Sequence, residues 1–342
     1  MKVGVVGLGR MGLSHATTIK KLDVVTEVLG CEILPEARKK AKAAGVESVA
    51  DLAALMAWKP DAVIIVTPPS SHVEGITPFL NAGIPVLTEK PLAHTIEDCR
   101  RLVALATRKK VPFQVGFEIP YCGFMRAMND VVKSGIIGKP VNASLVQICG
   151  AHPKGYMTRE RCGGIFWEKL CHQVDIWRHW LGEPERIMAI AGPNAIKHYG
   201  VPDNVLSSTV FPGGRVGNIT FMSTRSAQIG GTDDYIDRGH FNEMCVTCTK
   251  GSVSYSPWTD MISVVRYNHR ADNKSELVER FSAEERYSPA QYNVKDQDGD
   301  FLNRVRAGRK LQFPAADALI SFEWVAKAER SLAQGGKWIA GG

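Results

Sequence analysis

Three groups of residues in this chain have types and spacings that can do chemistry. The first is Gly7, Gly9 and Gly12, a G-x-G-x-x-G run that follows the apolar stretch KVGVV and opens a helix-like segment. Such a run suits a dinucleotide pyrophosphate. Gly7 permits the tight turn, Gly9 lets backbone approach the anion, and Gly12 lets helix pack on strand, while the helix N-terminus faces the negative charge. Arg10 and Met11 lie inside the run, and Arg10 is placed to reach the phosphates or the adenosine end. Glu32 closes the second apolar stretch, about twenty residues beyond Gly12, where an acid accepts hydrogen bonds from ribose hydroxyls and repels a 2′-phosphate. NAD is the expected cofactor, with NADP as the alternative.

The second group is Glu89 and Lys90, which end the stretch PVLTEK. A lysine at a strand end beside the nicotinamide hydrogen-bonds the reacting alcohol and favours alkoxide character as hydride leaves. Thr67 and Pro68 end the preceding strand at the carboxyl edge, where open α/β sheets bind ligands. His72, just beyond, either holds that loop or faces the nicotinamide. The third group follows Gly163 and Gly164: Glu168, His172, Asp175 and His179, whose spacings of four, three and four make one helical stripe. A histidine titrating near neutrality is suited to take a hydroxyl proton. Asp175 either orients the helix or reaches substrate, and His179 reads as structural. Trp167 either stacks on a sugar ring or fills core. Of weaker standing are His152, Lys154, Tyr156 and Arg159 in the polar stretch before this helix, and Asp234, Tyr235 and His240 farther on. Cys245 and Cys248 form the one C-x-x-C, but in a β-like stretch, where positions three apart point to opposite faces. No metal site is expected.

These groups need elements to hold them. From residue 1 to about 120, short β-branched runs (KVGVV, VVTEVLGC, DAVIIVT, PVLTEK, FQVGF) alternate with helix-like stretches, the βαβ signature of a parallel sheet covered on both faces. Beyond that point longer alternating strands are joined by turns at Pro212–Gly214 and Lys250–Gly251. The tail from Asp300 returns to helix, with apolar residues recurring at three and four. The expected fold is therefore α/β. A doubly wound Rossmann sheet spans 1–120, and an α+β domain with a mainly antiparallel open sheet spans 121–342, its helices from about 300 packing back on the first domain.

Composition excludes other classes. The net charge of +7 comes from spread basic residues, several at helix ends as in KKAKAAG and TRKK, so no nucleic-acid partner is expected. No stretch has the uninterrupted apolar length of a membrane span, and the opening run is too short for a secretory signal. A cytoplasmic setting is expected, with the eight scattered cysteines as reduced thiols.

The ordered motifs GLGRMG, TPPSSH, EKPLA and CGGIFWEKLCHQVDIWRHWLG resemble those of the Gfo/Idh/MocA family, most strongly from residue 1 to about 182. The resemblance implies an oxidoreductase acting on a ring CHOH of a sugar, cyclitol or glycoside, with His172 as general base, Lys90 as its partner and Glu168 as the substrate-binding or histidine-orienting acid. It also implies a homo-dimer or homo-tetramer. Three departures stand out. Glu168 replaces the family's more usual aspartate and Leu170 its glycine, while Ile119 and Pro120 replace an arginine pair; Tyr121 remains an aromatic candidate near the nicotinamide. Two other readings are NAD-dependent glycoside cleavage by transient oxidation and elimination, and a non-catalytic nucleotide sensor. Lys90 and His172 speak against the sensor, which needs the glycines but no proton-handling pair.

Overall fold

The computed structural model describes residues 1–224, 240–268, 274–289 and 291–341. Its first part alternates strand and helix: β1 (Lys2–Val6), α1 (Arg10–Ile19), β2 (Glu27–Cys31), α2 (Pro35–Ala43), β3 (Ser48–Val49), α3 (Leu52–Ala57), β4 (Ala62–Ile65), α4 (His72–Asn81), β5 (Val86–Glu89), α5 (Ile96–Lys109) and β6 (Phe113–Gly116). There follow α6 (Gly123–Ser134), β7 (Pro140–Gly150), α7 (Arg159–Cys162), α8 (Cys171–Leu181), β8 (Arg186–Ala191), β9 (Asn204–Phe211), β10 (Arg215–Thr224), β11 (His240–Cys248) and β12 (Gly251–Ser256). The chain closes with β13 (Met261–Tyr267), β14 (Ser275–Ser282), α9 (Ala283–Arg286), α10 (Val294–Arg306), α11 (Ala315–Ala333) and β15 (Ile339–Ala340).

The chain forms two compact units, the first of Met1–Glu118, Glu160–Gly163 and Asn293–Glu323, the second of Ile119–Arg159, Gly164–Tyr292 and Trp324–Gly342. In the first, six parallel strands run in the order β3-β2-β1-β4-β5-β6. This is the doubly wound order, with its switch point between β1 and β4. Val3, Val5, Ile64 and Ile65 are fully buried, which is why the central strands read as unbroken β-branched runs. The helices carry their own signals. Thr95 caps α5 by accepting from the Asp98 amide, acids Glu97 and Asp98 occupy its first turn, and Arg108 and Lys109 its last. Phe301 and Leu302 of α10, with Leu311, join Val3, Val5 and Ile64 in one core, so residues far apart in sequence complete this unit.

The second unit holds a nine-stranded sheet, β14-β13-β12-β11-β7-β10-β9-β8-β15, with β7–β10 as its parallel pair among the described residues. The expected hairpins are present: β9 and β10 join at Pro212–Gly214, and β11 and β12 at Thr249–Lys250. Along β7 the buried Ala143, Leu145, Gln147 and Cys149 alternate with half-buried residues, giving one covered face. On that face α8 crosses β10 closely. A side chain at Gly217 would meet Trp177 Cδ1 at 2.5 Å, so glycine is required there. All eight cysteines are free thiols. Among the described residues no helix is long and apolar enough to cross a membrane.

Candidate active site

In the first unit, β1 delivers the glycine loop to α1. Gly7 has φ +88, and a Cβ there would lie 2.9 Å from the Val66 and Thr67 backbone. At Gly12 a Cβ would sit 1.8 Å from the Gly7 carbonyl oxygen, so helix and strand meet at a distance only glycine allows. Gly9 has open space where its Cβ would be, and α1 begins immediately after it with Arg10 exposed and Met11 half-buried. The loop is thus a bare backbone cradle at a helix N-terminus whose first amides lack helical partners. At the end of β2, both Glu32 carboxylate oxygens accept backbone amides, Oε2 from Leu8 at 2.8 Å and Oε1 from Leu34 at 2.9 Å. The acid is therefore fixed to the loop itself. These residues fit NAD: an open anion cradle with a held carboxylate for the ribose.

At the carboxyl end of β4, Thr67 is half-buried and Pro68 exposed. His72 is fully buried, with Nε2 2.9 Å from the Thr67 carbonyl and Nδ1 3.3 Å from both the Leu92 carbonyl and the Thr88 hydroxyl. Burial pushes its pKa down, so it stays neutral. Its hydrogen bonds are those of a loop-holding residue, and its ring has no exposed surface.

Glu89 ends β5 and Lys90 follows it, both half-buried. Glu89 Oε1 lies 3.2 Å from His15 Nε2 on α1, and Glu89 Oε2 accepts the Lys90 amide at 3.2 Å. His15 Nδ1 lies 2.7 Å from Asp298 Oδ2 on α10, and neither His15 nor Asp298 is exposed. Burial alone would lower the His15 pKa; the two carboxylates outweigh it and raise it to about 10, while burial pushes the Asp298 carboxyl up as well. Beyond β6, Glu118 is pushed up to about 7, first by burial and then by the Glu89 charge, with Lys90 acting in the opposite sense.

In the second unit, a π-helical turn at Phe166–Leu170 leads into α8. It interrupts the even stripe that the spacing of Glu168, His172 and Asp175 predicts, and such turns recur at functional sites. Glu329 of α11 fixes it, accepting the Phe166 amide at 2.8 Å and facing Arg159 at 3.4 Å. Gly164 makes the approach possible, since a Cβ there would lie 2.3 Å from the Glu329 carboxylate. Glu168 and His172 are 7% and 6% exposed. The Tyr156 hydroxyl donates to Glu168 Oε1 at 3.4 Å and the Tyr156 ring stacks on His152, so the polar stretch before the helix folds back onto Glu168. Lys154 is exposed. Asp175 is 1% exposed and lies 3.4 Å from His179 and 3.7 Å from Arg178 on its own helix. Trp167 is 5% exposed. Tyr121 is half-buried in a short 3-10 turn, Ile119–Tyr121. Asp234 and Tyr235 lie outside the described residues, and His240 opens β11.

Residues 1–117 match the oxidoreductase family with an NAD-binding Rossmann fold, and residues 125–254 the GFO/IDH/MocA C-terminal domain. The chain belongs to the GFO/IDH/MocA family. Its first unit is an NAD-binding Rossmann domain. The chain is 28% identical to the rhizopine catabolism protein MocA of Rhizobium meliloti over 183 residues, 53% of this chain and 56% of that protein. It therefore spans little more than half the length of this relative. With the scyllo-inositol 2-dehydrogenase (NAD(+)) of Bacillus subtilis it shares 28% identity over 276 residues, 74% of this chain and 78% of that one. Levoglucosan dehydrogenase in complex with NADH has the same fold, with a TM-score of 0.81 at 19% identity over 99% of this chain and 98% of that one.

In this GFO/IDH/MocA chain some residues that contact the candidate site groups carry no motif in the sequence. His15, three residues after Gly12, shares the buried face of α1 with Gly12, Ala16 and Ile19; a histidine on an otherwise small or apolar face was the available signal. Glu329 sits in the helical tail and Asp298 just before the start expected for it, and no spacing rule ties either to the motifs.

Proposed function

We propose that this protein oxidises a ring CHOH of a sugar, cyclitol or glycoside with NAD, reversibly. The observation that carries this is the placement of Lys90 at the carboxyl end of β5, two strands from the glycine loop on the ligand-binding edge of the same sheet. NAD, when bound, supplies the hydride acceptor. Lys90 donates a hydrogen bond to the reacting hydroxyl and stabilises its developing negative charge, and His172 takes the hydroxyl proton. Glu168 contacts substrate or orients His172, itself held by Tyr156. The longer Glu168 and bulkier Leu170 suit a modified sugar or glycoside better than a simple inositol.

A screen of sugars, inositols and glycosides, read in parallel as NADH and NADPH absorbance, tests this. NADH formation on at least one polyol is expected, falling by a factor of about 10²–10⁴ in Lys90→Ala and His172→Ala proteins that still bind NAD. Wild-type rates in those variants would remove the mechanism. Aglycone release with no net NADH would instead assign the elimination chemistry. The protein is also proposed to be a homo-dimer or homo-tetramer through the sheet face of the second unit opposite α8, where Val146, Val210, Val216 and Met222 are half-buried. A compact monomer in sedimentation at micromolar concentration would overturn that.

A further inference from the structure

The buried chain Asp298–His15–Glu89 ends on the peptide that presents Lys90 and lies wholly within the first unit. Each link is at hydrogen-bond distance, 2.7 Å from His15 to Asp298, 3.2 Å from His15 to Glu89, and 3.2 Å from the Lys90 amide to the other Glu89 oxygen. The Glu89 carboxylate thus has one oxygen on α1 and the other on the backbone of the residue it presents. Glycine at 116 leaves the space this needs, since a Cβ there would come within 3.0 Å of Glu89 Oε1.

Stability alone does not account for the arrangement. Desolvating two carboxylates and an imidazole is expensive, and well-packed apolar residues of similar volume commonly replace a buried ion triad without loss of stability. The surroundings of His15 on α1 are of that cheaper kind: Gly12, Ala16 and Ile19. What an apolar replacement could not do is fix a carboxylate rotamer. A histidine held by Asp298 from α10 and facing Glu89 from β5 keeps Glu89 in one position, and Glu118, beyond β6, is the further acid whose charge reaches both Glu89 and His15. We propose that His15, anchored by Asp298, is a positioning residue for Lys90 and acts through Glu89. The strut joins the helix that carries the glycine loop to the strand end that carries Lys90, so the cofactor cradle and the lysine share one rigid reference. The inference rests on the reading of Lys90 as the group that meets the reacting hydroxyl.

The test uses the full-length, NAD-saturated protein with His15→Gln and Asp298→Asn, the second being isosteric and therefore useful where the first fails to fold. Lysines are ¹³C-dimethylated, and the Lys90 resonance is assigned by its loss in Lys90→Arg. In both variants the Lys90 resonance is expected to move toward those of surface lysines, and kcat on the polyol found by the screen to fall about 10- to 100-fold, while the Kd for NAD changes by less than about 2-fold. A folded variant with the Lys90 resonance and kcat of the wild type would overturn the inference. Should the wild type oxidise no polyol at all, the proposed function falls, whereas the Lys90 resonance still decides whether His15 positions the lysine.

Discussion

Glu118 shows most clearly how one residue's surroundings set its chemistry here. In an unfolded chain its carboxyl ionises near 4.5, and in the folded protein near 7, because burial and the adjacent Glu89 charge disfavour the anion. Between those values the folded state keeps a proton that the unfolded state gives up. The stabilising contribution is therefore full below pH 4.5 and is lost as pH rises through 7. Glu118→Gln is accordingly expected to melt a few degrees above the wild type at pH 8 and to match it at pH 4.5; an equal gap at both values in thermal scans would contradict the assignment. His72 gives the opposite lesson. A lone histidine near the cofactor loop has two readings in sequence, and in the structure its hydrogen bonds run to the Thr67, Thr88 and Leu92 segments while burial pushes its pKa down. His72→Ala is expected to loosen the Thr67–Pro69 loop and to weaken NAD binding several-fold, read by calorimetry, as an indirect effect.

At the scale of the element, two close approaches govern the site. The first turn of α1 packs on β1 only because residue 12 has no Cβ, with 1.8 Å to the Gly7 carbonyl left for one. That contact is backbone to backbone and has no flexible end to give way. Gly12→Ala is expected to abolish measurable NAD binding and to lower the melting temperature, whereas Gly9→Ala, with open space around its Cβ, is expected to fold normally and lose NAD affinity alone. Calorimetric titration beside thermal melting separates the two. The second approach is Glu329 against Gly164 and the Phe166 amide. Glu329→Ala leaves the π-helical turn without its partner and is expected to cost about 1–3 kcal/mol in stability, with a drop in turnover greater than that in NAD affinity. The helix itself was legible from Gly163 to His179 by spacing. Its π-helical entry was not, because that turn is stabilised by a residue 163 positions away.

Across the whole molecule, the first unit is not a contiguous stretch. Phe301, Leu302 and Leu311 belong to its core, and Asp298 supplies the His15 anchor, so a truncated chain ending near residue 120 lacks part of both. Such a fragment is expected to be poorly soluble and to bind NAD far more weakly than the intact chain, as fluorescence titration would show; a stable fragment with full affinity would mean that α10 is dispensable. The sequence by itself determined the parallel β-α alternation, the glycine loop with Glu32, the strand-end Lys90, the two hairpins and the helix bearing His172. Each of these follows from local periodicity, turn chemistry or a short motif, and local rules suffice for them. Only the tertiary structure decided that His15 lies between two carboxylates, that His72 bonds to the Thr67 carbonyl, that Asp175 faces Arg178 and His179, and that Glu329 accepts the Phe166 amide at the entry to α8. These depend on which distant side chain arrives within about 3 Å of a buried polar group, and on whether water is excluded when it does, neither of which is written in the spacing of neighbours along the chain.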